Sequence, residues 1–211
     1  MRTLGRRPWL LLATVAAVAG TLEAAEPRPS PRIALRAVGI DLAGLAPLTL
    51  AAMRQEAGLV LAPAGLACAW RSAEPGVETS VGELRVVFLR STGLGADRGG
   101  TALGRTALGI PVPATWIYVP NVALALGLEP DAVQGSFEAQ RRVGIALGRV
   151  VAHEMVHVLA PEKEHAQAGV MRRTLGAFHL ASGRAALEEG YTEALAEGAR
   201  AWVASRERER P

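Results

Sequence analysis

The sequence predicts an α+β fold: a small mixed twisted sheet, one long helix and a helical C-terminal part. Three observations predict it. Short runs rich in branched and apolar residues recur between residues 33 and 119, a continuous helical pattern runs from about Ser136 to Ala160 where it meets Pro161, and apolar residues return at helical spacing beyond residue 187. With 211 residues, 50% of them hydrophobic and 20% charged, the chain can bury a sizeable core, and its length suits one domain.

The chain opens with Arg2, Arg6 and Arg7, an apolar run from Trp9 to Ala19, and small residues up to Ala24 and Ala25. This is the pattern of a signal peptide over residues 1–25, and the apolar run falls well short of the ~20 residues that span a bilayer. Export to a periplasmic or extracellular location is expected, with no stable membrane span once the leader is cleaved. Residues 26–31, Glu-Pro-Arg-Pro-Ser-Pro, form a stiff extended linker. A single domain is expected over 32–211.

Within it, Ile33 to Ile40 has the length and branching of a strand, and the stretch from Pro47 to Gly58 has helical spacing with proline near its start and glycine at its end. Leu66 to Arg71 and Leu84 to Leu89 read as further strands. The stretch Gly93 to Gly104 reads as a surface loop; it lacks the Lys-Ser/Thr ending of a phosphate loop. Thr115 to Val119 is a fourth strand, and Pro113 and Pro120 on either side of it suit a sheet edge. A final helix carries Leu187, Tyr191, Ala194, Leu195 and Trp202 as its apolar stripe.

Charge and cysteine content exclude some partners and devices. Without residues 1–25 the net charge falls from +3 to about +1, and the arginines are dispersed, so a nucleic-acid partner loses its main support. Cys68 is the single cysteine, so it cannot form an intramolecular disulfide; its apolar surroundings suit a small buried hydrophobe.

The chemistry concentrates in His153-Glu154-Met155-Val156-His157. Chance placement of such a His-Glu-x-x-His string is on the order of 0.006 for this composition. Residues four apart lie about 40° apart around a helix, so the imidazoles of His153 and His157 can reach one cation, for which Zn2+ is the natural occupant. Glu154 points beside the metal, where a carboxylate can act as general base toward water and pass the proton to a leaving amine. A catalytic zinc takes three protein ligands as a rule. His165 is the first candidate for the third, because Pro161 ends the helix and Glu162-Lys163-Glu164 can turn the chain back.

Together with Gly169-Val170-Met171, these residues resemble the metzincin clan of metallopeptidases, whose signature is His-Glu-x-x-His-x-x-Gly-x-x-His followed by a methionine turn. The resemblance implies His153, His157 and His165 as zinc ligands, Glu154 as general base, Met171 as the methionine of the turn, and a peptide or protein as substrate. The third histidine falls eight residues after His157 rather than six, and Ala160 stands where the signature has glycine. This longer form is also similar to small exported bacterial metallopeptidase-like proteins. By the same resemblance, a strand at Trp116 to Val119 would hold an extended peptide through backbone hydrogen bonds.

Two alternatives stand beside this reading. Glu189, in Glu188-Glu189-Gly190-Tyr191-Thr192-Glu193, resembles the second-helix glutamate of gluzincins and is a rival third ligand. It lies about 200° around the helix from Leu187, which puts it with Glu193 and Glu197 on a solvated side. A zinc that merely pins the last helix to a noncatalytic protein is the other. His179 has no metal-site context and reads as an ordinary histidine.

Overall fold

The computed structural model describes residues 33–80, 82–91, 102–110, 112–183 and 185–208. The expected leader and linker, and the glycine-rich stretch up to residue 101, lie outside the described residues.

The fold is α+β, built on a five-stranded, mostly parallel sheet. Strand β1 (Ile33–Asp41) leads into α1 (Pro47–Leu61), and the chain returns through β2 (Leu66–Ser72), which pairs in parallel with β1. The Asp41 carboxylate accepts hydrogen bonds from the amides of Ala43, Gly44 and Leu45, which closes the tight exit from β1. Pro47 sits in the first turn of α1, where a missing N–H costs nothing. The helix continues past Gly58, which the sequence marked as its end. The glycine that terminates the unit is Gly65, at φ 72° after a short 3-10 turn.

Strand β3 (Glu83–Leu89) pairs in parallel with β1 on its other side and with β5 (Ala114–Tyr118). β4 (Gly104–Ala107) runs antiparallel to β5, giving the order β2-β1-β3-β5-β4. Three expectations are corrected here. The segment around Trp116 is no sheet edge but an interior strand paired on both sides, with Ile117 fully buried; β4 is the edge on that side and β2 the edge on the other. Gly104, expected to end a loop, begins that edge strand. Val119, expected in the strand, opens α2 (Val119–Ala125) with Pro120 in its first turn.

Helix α3 (Phe137–Leu159) begins at Ser136, whose hydroxyl accepts from the amide of Ala139, and ends just ahead of Pro161. Strand alternation sends Leu35, Ala37, Leu84, Val86, Phe88 and Ile117 to the helix-covered face, where they pack with Met53, Leu61, Leu147 and Val151. A smaller cluster of Val38, Ile40 and Val87, with Trp116, covers the other face. α3 lies against α1 at a separation set by two glycines. A Cβ on Gly144 would stand 2.6 Å from the Thr49 carbonyl oxygen, and one on Gly148 2.6 Å from that of Met53.

After α3 come a turn, the short α4 (Ala177–Ala181) and α5 (Glu189–Arg208). Arg149, 3% exposed, ties this last third to the rest: it donates to Glu56 Oε1 at 2.8 Å and to the carbonyls of His179, Ser182 and Gly183 at 2.7, 3.1 and 2.6 Å. Leu195 and Ala199 are the buried stripe of α5, flanked by Tyr191, Ala194, Trp202 and Val203. Leu187 packs with them from just before the helix, while Glu193 and Glu197 are exposed as expected.

Candidate metal centre

The last two turns of α3 deliver the three motif residues to the same place. Leu147, Val150, Val151 and Val156 bury the helix in the core, and this burial fixes its rotation. His153 and Glu154 are thereby carried under cover, 7% and 6% exposed, with His157 half-buried one turn on.

Past Pro161 the chain doubles back. The Lys163 amide bonds to the Ala160 carbonyl, the Ala166 amide bonds to that of Met171 at 2.8 Å, and Ala166 pairs with Arg172 in a single bridge. Gly169 turns this segment at φ 64°, a conformation that suits glycine, and a Cβ there would meet the Ala186 carbonyl oxygen at 2.6 Å. Tyr191 of α5 donates its hydroxyl to the Glu164 carbonyl. Held between these contacts, His165 comes back beside the helix, and Met171 is 1% exposed at the end of the turn.

The three imidazoles converge. Their ring centroids are 4.8, 5.2 and 4.9 Å apart, Nε2 of His153 and Nε2 of His157 are 3.1 Å apart, and one ligand nitrogen from each ring lies within 4.8 Å of the others. Zinc–nitrogen bonds near 2.0–2.1 Å in a tetrahedron require nitrogens roughly 3.3 Å apart, so the donor set fits such an ion. The Val170 carbonyl sits 2.9 Å from Nδ1 of His153. A carbonyl only accepts, so Nδ1 carries the proton and Nε2 is left with its lone pair toward the centre.

Electrostatics favour the same state. Burial, against a favourable contact with Val170, pushes His153 down to about 4, with the neighbouring imidazoles adding to the shift. His157 and His165 are lowered too, first by burial, then by the His165 and Arg173 charges respectively. Neutral imidazoles are the form that binds a metal.

Glu154 is held by the sheet edge. Thr106 of β4 donates to Oε2 at 2.7 Å, and its hydroxyl is also 3.2 Å from the Glu154 carbonyl oxygen and from Thr115 Oγ1. Gly104, on the same face of β4, leaves room for the carboxylate: a Cβ there would stand 2.8 Å from Oε1. Burial raises the Glu154 carboxyl to about 7, with the Thr106 hydrogen bond opposing it. A base titrating near neutrality is matched to proton transfer at physiological pH.

These groups open onto a cleft of about 930 Å³ bordered by β4, α2, α3 and residues 172–176. Among the described residues the histidine triad is the one cluster with metal-ligand geometry. Glu189 lies outside it, exposed in the first turn of α5. His179 is not part of the cluster, and Cys68 is half-buried in β2 with its thiol pushed up to about 12 by burial.

The sequence did not point to Thr106, Gly104 or the Val170 carbonyl. Gly-Arg-Thr-Ala carries no apolar alternation, so β4 had no signal as a strand, and a backbone carbonyl has none at all. No family model, curated protein or solved structure matches this chain.

Proposed function

We propose that this chain is a zinc-dependent metallopeptidase of the metzincin type, exported and acting on peptide bonds. One observation carries the reading: three imidazoles converge beside a buried carboxylate held by the Thr106 hydroxyl, and all four border an open cleft. A purely structural zinc has no use for such a carboxylate.

His153, His157 and His165 would hold the ion, leaving its fourth position to the cleft. Zinc bound there supplies Lewis acidity, polarising the scissile carbonyl and easing deprotonation of water. The protein's residues do the rest. Glu154 accepts the proton from the attacking water and returns it to the leaving amine. Thr106 fixes one carboxylate oxygen and leaves the other to take the proton. Val170 locks the His153 tautomer. β4, the edge strand bordering the cleft, offers its backbone to an extended substrate, the role the sequence suggested for Trp116 to Val119.

The test is metal analysis alongside hydrolysis of a quenched peptide mixture. The protein is expected to hold about one zinc; Glu154→Ala keeps it and loses turnover. Turnover that survives Glu154→Gln with unchanged zinc content would sink the proposal.

A further inference from the structure

The cleft has an uneven charge. Among the described residues the one acid that borders it is Glu154, the base itself, against three arginines, Arg105, Arg172 and Arg173. Surface arginines are ordinarily just solvated, so each must be placed before it is used.

Arg105 drops out. It alternates with Gly104 and Thr106, which face Glu154, and it sits opposite Trp116 on the far face of the sheet. Arg172 and Arg173 are different. Arg172 pairs with Ala166, the neighbour of His165, and both arginines follow the Val170 carbonyl that holds His153. Arg172 spends one nitrogen on the Gln167 carbonyl at 2.6 Å and keeps its other N–H groups. Arg173 is exposed and, among the described residues, has neither an ion pair nor a hydrogen bond.

Resting on the reading of this cleft as a substrate cleft, we infer that it selects peptides with an acidic side chain close to the bond to be cut, bound by Arg172 and Arg173. A carboxylate there meets two cations on one short segment and, among the described residues, no competing carboxylate at the cleft except the base. The pair also steers acidic segments toward the centre before contact.

Fluorescence anisotropy with zinc-loaded Glu154→Gln protein tests this, using three labelled peptides that share a core and differ in acidic, neutral or basic flanks. The acidic peptide is expected to bind roughly tenfold tighter than the neutral one, an advantage that fades at high ionic strength. Arg173→Glu should remove or reverse that order at unchanged zinc content and circular dichroism. Equal binding of all three peptides, no binding of any, or an order untouched by Arg173→Glu overturns the inference. Parallel turnover by the wild-type protein keeps the two readings apart. Acidic preference without hydrolysis sinks the peptidase and supports the inference; hydrolysis without preference does the reverse.

Discussion

The Thr106 hydroxyl spans the gap between β4 and α3 to reach Oε2 of Glu154 at 2.7 Å. A residue on the sheet edge thus sets the orientation of a carboxylate on the helix, and the position of the carboxylate is tied to that of the edge strand. Thr106→Val should lower kcat by roughly tenfold to a hundredfold, the worth of a hydrogen bond to a charged group. KM and zinc content should stay near their wild-type values, and Thr106→Ser should recover most of the loss. Equal kcat in the valine variant would show that Glu154 needs no such partner.

Gly104→Ala tests the same contact from its steric side. The new methyl group would stand 2.8 Å from Oε1, so either β4 or the carboxylate must shift. A displacement of this size near the chemistry is expected to cost on the order of a hundredfold in turnover. Zinc should be retained, because the three atoms nearest that methyl all belong to Glu154 and none to a histidine. Steady-state kinetics with metal analysis is the measurement.

Ligand identity separates His165 from Glu189. Losing a partner that merely orients a ligand weakens metal binding by about 10–100-fold, so losing a ligand should exceed about a hundredfold. His165→Ala is expected to lose zinc in a competition titration, and Glu189→Ala to keep it. The opposite pattern would transfer the third position to α5.

The metal-free protein should lose stability on acidification. The folded-state values of His153, His157 and His165 lie below 6.5, so their contribution is present above about 6.5 and is lost as pH falls, for His153 down to about 4. Glu154 acts with opposite sign: raised from 4.5 to about 7, its contribution is present below 4.5 and is lost as pH rises to 7. Three groups oppose one, so the denaturation midpoint of chelator-treated protein should fall from pH 6.5 toward pH 4. A midpoint rising over that range would contradict the assignment.

Gly148→Ala should destabilise the fold by about 1–3 kcal/mol, the usual cost of overpacking. Its Cβ would meet the Met53 carbonyl oxygen at 2.6 Å and the Glu56 Cβ at 2.7 Å, neither of which can step aside cheaply. Urea denaturation reads the loss.

What the sequence made legible follows from how each element announces itself. β1, β3 and α3 appeared within a residue or two of their bounds because burial on one or both sides leaves long apolar patterns, and β2, an edge strand with Leu66 alone buried, through its apolar run from Leu66 to Trp70. The edge at β4 did not, because four residues with glycine, arginine and threonine carry no alternation. Prolines 113 and 120 misled: the second opens α2 instead of marking an edge. The triad was readable because histidines four apart on a helix have a geometric meaning; the tautomer-fixing carbonyl and the Thr106 hydroxyl depend on long-range packing that spacing does not encode.

All three imidazoles of the triad arise within thirteen residues of chain, and only seven residues separate His157 from His165. Closing so short a loop costs little entropy compared with aligning five strands. A cation can therefore be captured as soon as the end of α3 and the following turn exist, without waiting for β1 to find β3. Once seated, it would act as a local staple at the seam between α3 and the last third of the chain. Chelation should then loosen residues 160–208 ahead of the sheet, and amide exchange would show the metal as the clasp of the C-terminal region rather than the keystone of the whole.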